Sequence, residues 1–244
     1  MKGDERVVSD MQVGLLSDIH GNRVALEAVL ADMPAVDALA CAGDVVGYNP
    51  WPGDCVDAMI DPTPLYDAVG RDDLPVDEVP TVMGNHDRAV ANETTFRFNG
   101  MAAAGVEHAE EELDDEQLAW LAELPDERTE FDGRVKLVHG HPDDPDRYTY
   151  PEEFSPRMLG DEDVLVLGHT HVQHVERYGD GIVVNPGSVG QPRDRDPKAA
   201  YAVVDLDALT VETHRVEYDI DAVRAAVEDA GLPEKIGSRL KMGR

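Results

Sequence analysis

Five short motifs of histidine and aspartate, in one order along 244 residues, constrain this chain more than any other feature. They are Ser17-Asp18-Ile19-His20-Gly21, Gly43-Asp44, Gly84-Asn85-His86-Asp87, Val138-His139-Gly140-His141 and Gly168-His169-Thr170-His171. Each falls at or just after a short apolar run that reads as a strand. Side chains in loops at strand ends can converge on one edge of a sheet, where α/β proteins place their sites. The neighbouring glycines permit tight turns and close backbone approach.

The rest of the pattern agrees with a layered sheet protein. Met11–Ser17, Asp37–Cys41 and Pro80–Met83 read as strands in the first half. Asn22 is placed to cap a helix whose apolar face is Ala25, Leu26, Val29 and Leu30. Gly53–Ile60, Asn99–Leu113 and Asp114–Leu124 read as further helices, the last opening with the capping-box pair Asp114 and Gln117. Residues 62–79, rich in proline and acid, read as an irregular surface insertion. The second half is mostly strand: 128–131, 135–138, 163–167, 174–178, 182–184, 199–205 and 211–218, with 219–230 as a closing helix. Strands flanked by helices predict an α/β or α+β sandwich. No repeat or linker divides the chain, so a single domain over 1–244 is expected.

Taken singly, each motif is weak, since a lone Asp-x-His or Gly-Asp also serves turns and helix caps. Together they match the ligands of borderline divalent metals, imidazole nitrogen with carboxylate oxygen. Residues i and i+2 of an extended segment point the same way, so Asp18 with His20, and His169 with His171, are each expected to address one locus.

The ordered set resembles the calcineurin-like metallophosphoesterases. The stretch Val184-Asn185-Pro186-Gly187-Ser188-Val189-Gly190-Gln191-Pro192-Arg193 is similar to the small prokaryotic branch described as YfcE-like or diadenosine tetraphosphatase-related. The resemblance runs from about Val13 to Asp219, with a motif-bearing core over about 11–219. It implies a four-layer α/β/β/α sandwich of two mixed sheets flanked by helices. It implies two divalent ions, Mn²⁺ first among those expected, with Fe²⁺, Ni²⁺, Co²⁺ and Zn²⁺ as alternatives. Asp18, His20 and His171 would hold one ion, Asn85, His139 and His169 the other, and Asp44 would bridge them. His86 would assist the leaving group or stabilise charge. Asp87 would either orient His86 or cap a turn. A hydroxide shared between the ions would attack phosphorus in line.

Substrate contacts are less determined. Arg193, Arg23 and His141 are candidates, against pairing of Arg193 with Asp194 or Asp196, and a turn-capping role for His141. Tyr48, Asn49 and Trp51 either stack on a substrate ring or pack the loop. Gly43-Asp44-Val45-Val46-Gly47-Tyr48-Asn49 lacks the arginine of the Gly-Asp-x-Val-Asp-Arg-Gly motif of protein phosphatases, which favours phosphodiesters over protein substrates. Phosphomonoesters, dinucleoside polyphosphates and other nucleotides stand as alternatives. A non-catalytic scaffold would have lost ligands, and none is missing here.

Charge bounds the partners. Fifty-one acids against 21 bases give a net charge of −30, which repels nucleic acid and anionic membrane. A small phosphoester is therefore the expected partner, alone or with further copies of the chain. Asp and Glu in nearly every segment, with little Lys, resemble proteins of extreme halophiles. No apolar run is long enough to span a bilayer, and MKGDERVVSDMQ has no signal-peptide core, so a cytoplasmic location is expected. Cys41 sits in an apolar strand and is expected as a small buried hydrophobe, with no disulfide to Cys55.

Overall fold

The computed structural model describes residues 11–244 except 76, 94, 96, 97 and 180. Two mixed β-sheets lie at its centre. The first half supplies β1 (Gln12–Leu16), α1 (Arg23–Asp32), β2 (Ala38–Cys41), α2 (Pro52–Ile60), α3 (Thr63–Val69), α4 (Asn85–Ala91), α5 (Gly100–Glu112) and α6 (Asp115–Glu123). The second half supplies β3 (Glu127–Glu130), β4 (Val135–Val138), β5 (Val164–Val166), β6 (His174–Tyr178), β7 (Gly181–Asn185), β8 (Ala199–Asp205) and β9 (Thr210–Val216). Helices α7 (Ile220–Asp229) and α8 (Glu234–Leu240) close the chain. One sheet has the order β2-β1-β8-β9 and the other β3-β4-β5-β7-β6.

Strand periodicity of two builds the layers. Val13 and Leu15 of β1 meet Val164 and Val166 of β5 in a core that also holds Ala202 and Val204 of β8. The alternate residue Leu16 faces the helical layer with Leu26, Val29 and Leu30 of α1. On the far side, Leu165 and Leu167 pack under Phe154 and Met158, from 3₁₀ helices at Pro151–Glu153 and Pro156–Met158. The expected sandwich of two mixed sheets between helical layers is therefore present, with 3₁₀ turns covering the second sheet.

Four local expectations need correction. Residues 62–79 are not wholly irregular: α3 occupies Thr63–Val69 and ends on Gly70 in the left-handed region (φ 73°). Thr81 makes only an isolated bridge to Cys41 instead of a full strand, because the chain turns into α4 four residues later. Helix α4 itself carries the Asn85-His86-Asp87 motif, and its brevity hides it among metal-ligand residues. Helix α8, beyond the expected closing helix, buries Ile236 and Leu240 against Tyr48.

The topology places the motifs. β1 pairs parallel with β2, and β4, β5 and β7 run parallel. Their C-terminal ends, and hence four of the five motifs, open on one edge of the sandwich.

Candidate metal centre

The loops after these strands are tied to one another before any side chain is considered. Asp18 N donates to Gly43 O (2.9 Å), His20 N to Asp44 O (2.9 Å) and Gly168 N to His139 O (2.8 Å). His169 N donates to the Asp18 carboxylate (3.1 and 3.2 Å), joining the two sheets across the site. Asn185 Nδ2 holds the Gly168 carbonyl (2.7 Å).

Asp18, His20, Asp44, His169 and His171 adopt left-handed backbone, with φ of 52°, 51°, 55°, 66° and 58°. The i, i+2 pairs therefore converge through tight left-handed turns, not through an extended segment as the spacing suggested. Such conformations cost about 1–3 kcal/mol each in a non-glycine residue and persist where the surroundings impose them.

Two groups of potential ligands result. Asp18, His20, Asp44 and His171 bring one donor atom each within 4.8 Å of one another, as do Asp44, His139 and His169. Asp44 belongs to both. All six are buried. Asn85 lines the same cleft, beside Asp44 and His169.

Hydrogen bonds set which imidazole nitrogen is free. Nδ1 of His20, His139 and His171 each meets a backbone carbonyl, of Val46 (3.0 Å), Ala42 (2.7 Å) and Gln191 (2.5 Å). A carbonyl only accepts, so these nitrogens carry the proton and Nε2 keeps a lone pair. His169 is reversed: its Nε2 donates to Asp146 O (3.1 Å), which frees Nδ1. With this assignment, the Nε2 lone pairs of His20 and His171 face each other at 3.2 Å with no proton between them. His171 Nε2 is also 3.2 Å from Asp18 Oδ1. His139 Nε2 is buried without a hydrogen-bond partner, 3.3 Å from Asp44 Oδ2. Opposed lone pairs and buried carboxylates are unfavourable unless a cation lies among them, so the donor set fits divalent metal.

Electrostatics point the same way. Burial pushes His20 and His171 well below the ordinary imidazole range, and His169 to about 3, so all three are neutral and able to offer a lone pair. Burial is the strongest single influence and acts to depress His139, but the Asp44 and Asp18 carboxylates and the Ala42 carbonyl together outweigh it and raise this imidazole to about 10. Burial lifts Asp18 to about 7. A bound cation would displace these protons.

His86 is buried on α4, and its backbone N–H donates to Asp44 Oδ1 (2.8 Å). Its Nδ1 has no partner. Burial lowers the imidazole to about 4, against the opposing pull of Asp44. Asp87 does not orient that ring. Its carboxylate accepts from the backbone N–H groups of Asp44 (2.8 Å), Gly84 (3.0 Å) and Val46 (3.1 Å). It caps α4 and pins the Asp44 loop, and is thus a positioning residue.

The other three candidates separate. Arg193 lines the cleft with His86, His169 and His171, and pairs with neither Asp194 nor Asp196. Asp194 is taken by Arg215. Arg23 is not at the cleft: Glu27 (3.2 Å) and Asp54 (3.1 Å) hold it over Trp51. His141 is also absent from the lining, because its Nδ1 accepts from Asp143 N (3.1 Å) and shapes its own loop. That loop delivers the Asp146 carbonyl to His169.

Aromatic walls were only partly legible. Tyr48 lines the cleft, whereas Asn49 packs the loop by donating to His20 O (2.9 Å). Phe98 lies 4.6 Å from the His86 ring, and Tyr148 stacks on His169 with centroids 3.8 Å apart. Neither Phe98 nor Tyr148 adjoins a ligand motif, so no sequence signal marks them. Cys41 and Cys55 are free and buried, with thiols raised by burial.

A sandwich with this cluster at its parallel-strand edge defines a metal-dependent phosphoester hydrolase. The family model of the calcineurin-like phosphoesterase superfamily domain matches residues 11–209, and the chain belongs to that superfamily. An uncharacterized protein of Methanocaldococcus jannaschii is 31% identical, covering 95% of this chain and 98% of its own. Phosphodiesterase YfcE of Escherichia coli is 29% identical over 82% of this chain and 91% of its own. Among solved structures, a metallophosphoesterase from Sphaerobacter thermophilus superposes with a TM-score of 0.79 at 34% identity, covering 97% of this chain and all of the other.

Proposed function

We propose that this chain is a phosphodiesterase of small molecules, working with two divalent ions. The sharing of Asp44 between two buried ligand groups carries this reading. Asp18, His20, Asp44 and His171 would hold one ion, and Asp44, His139, His169 and Asn85 the other. Bound there, such ions supply Lewis acidity toward the phosphoryl oxygens and acidify water toward neutrality. The imidazole-rich set suits Mn²⁺, Fe²⁺, Co²⁺, Ni²⁺ and Zn²⁺, and Mn²⁺ is the ion to load first.

The chain's own groups do the rest. The three Nδ1–H bonds to carbonyls fix ring orientation. Asp87 fixes the Asp44 loop. His86, neutral and lining the cleft beside Asp44 and Asn85, would hydrogen-bond the departing oxygen, and an anionic phosphoryl group beside it would raise its basicity. Arg193 offers a planar fork to a phosphoryl oxygen. The cleft is about 90 Å³, which suits a phosphoryl group and its immediate substituents. Arg193 also favours a second reading, a phosphomonoesterase, because it supplies a cation where the Asp44 loop lacks one.

Hydrolysis of bis-p-nitrophenyl phosphate beside p-nitrophenyl phosphate, with and without Mn²⁺, tests this. Metal-dependent turnover of the diester is expected. Asp44→Asn should weaken metal binding at both sites by at least about tenfold to hundredfold, the scale for losing even a supporting ligand contact, and abolish most turnover. Preference for the monoester would select the second reading. Titration calorimetry with Mn²⁺ should give two ions per chain, and one ion would remove the dinuclear assignment.

A further inference from the structure

In a chain with 51 acids and 21 bases, a half-buried cation without a carboxylate partner calls for a reason. Among the described residues, every partly buried arginine except Arg193 and Arg239 stands at ion-pair distance from an acid. These two stand beside the same tyrosine. Arg193 Nη2 donates to Tyr48 OH (3.3 Å), and its guanidinium lies over the Tyr48 ring, 5.7 Å from the centroid. Arg193 is otherwise held only by the neutral Gln191 side chain (2.8 Å). Arg239 lies on α8 between Ile236 and Leu240, both packed in the cluster that contains Tyr48. Its guanidinium is depressed by burial and by the Arg193 charge, and the Tyr48 hydroxyl opposes this. The end of α8 is tied to the loop that follows Arg193, where Arg195 N donates to Gly243 O (2.9 Å).

Two guanidinium groups that share one tyrosine repel, and partial burial weakens the solvent screening that would relieve them. So many acids leave ample choice of counter-ion, yet among the described residues none is placed here. The complementary charge belongs to whatever enters the cleft. The phosphoryl group under attack is attracted to the metal-ligand side. A second phosphoryl group, one step further out, matches two planar forks and the phenol between them.

We propose that Arg193 and Arg239 form an anion subsite at the rim of the cleft, which binds a second phosphoryl group of the substrate. The preferred substrates then carry a phosphoryl group in addition to the ester that is cleaved. The proposal rests on the phosphoesterase reading and deepens it. Arg239 lies outside residues 11–209 matched by the superfamily, so this preference comes from the C-terminal helices.

The test uses the full chain loaded with Mn²⁺ at one fixed KCl concentration. Methylenediphosphonate and inorganic phosphate compete separately against hydrolysis of bis-p-nitrophenyl phosphate. The native chain should bind the diphosphonate about tenfold more tightly than phosphate, the worth of one additional contact between charged groups. Arg239→Met should bring the two inhibition constants close together, with Arg239→Lys between. Each ratio is internal to one protein, so a smaller folded fraction does not move it. Metal stripping by the diphosphonate would act alike on all three proteins. A ratio unchanged in Arg239→Met therefore overturns the subsite. If the diester is not hydrolysed at all, the phosphodiesterase reading falls. Calorimetric titration of the same proteins with the two anions then decides the subsite by the same ratio.

Discussion

At the scale of single residues, the centre is a set of backbone contortions held by small neighbours. Five ligand-bearing residues sit in left-handed conformations, and glycines leave room for them. A Cβ on Gly84 would collide with the carboxylate and backbone N of Asp44, and one on Gly168 with the Ser17 hydroxyl. Gly84→Ala should therefore displace Asp44, destabilise the fold by about 1–3 kcal/mol, and reduce metal-dependent turnover beyond what the lost stability explains. Melting temperature and metal titration, measured on one preparation, separate the two effects. Unchanged metal affinity would mean that Asp44 relaxes without leaving the site. The ligand residue types were legible in the motifs. The role of Asp87 was not, because its three partners lie on two segments about forty residues apart in sequence, and only packing brings them together.

At the scale of elements, short helices escaped the periodic pattern while serving the site and its scaffold. α4 has too few turns to display an amphipathic stripe, yet its first turn presents Asn85 and His86 to the cleft. α3 packs against α1, and Arg71 just beyond it donates to the carbonyls of Leu30 (2.8 Å) and Met33 (2.6 Å) at the end of α1. A cation there satisfies carbonyls that a helix end leaves open and complements its dipole. Arg71→Ala should cost about 1–3 kcal/mol. It should lower the melting temperature by about 2–4 °C per kcal/mol and leave turnover per folded molecule unchanged. Thermal melts and kinetics check this, and a matching fall in turnover would mean that the insertion reaches the site.

At the scale of the whole molecule, the charge is the governing quantity. At −30, self-repulsion opposes the compact state, and salt screens it. We propose that the chain is adapted to concentrated salt, so its melting temperature should rise steadily from low to multimolar KCl. Equal melting temperature and turnover across that range would dismiss the adaptation. Among the described residues, no helix is long and apolar enough to cross a membrane.

The sequence by itself determined the strand pattern, the order of the motifs and the chemistry of their side chains, because alternation and residue type are local properties. Seven potential ligands, Asn85 among them, could be named from it and its family resemblance without coordinates. Only the tertiary structure decided which imidazole nitrogen is free, since that depends on carbonyls from other loops. It also decided that Arg193 faces the cleft, that Arg23 and His141 do not, and that Arg239, over forty residues further on, lies on a helix packed in the cluster of Tyr48, the ring beneath Arg193. Those assignments depend on which charges become neighbours when parallel strands bring distant loops to one edge, and no local spacing encodes that.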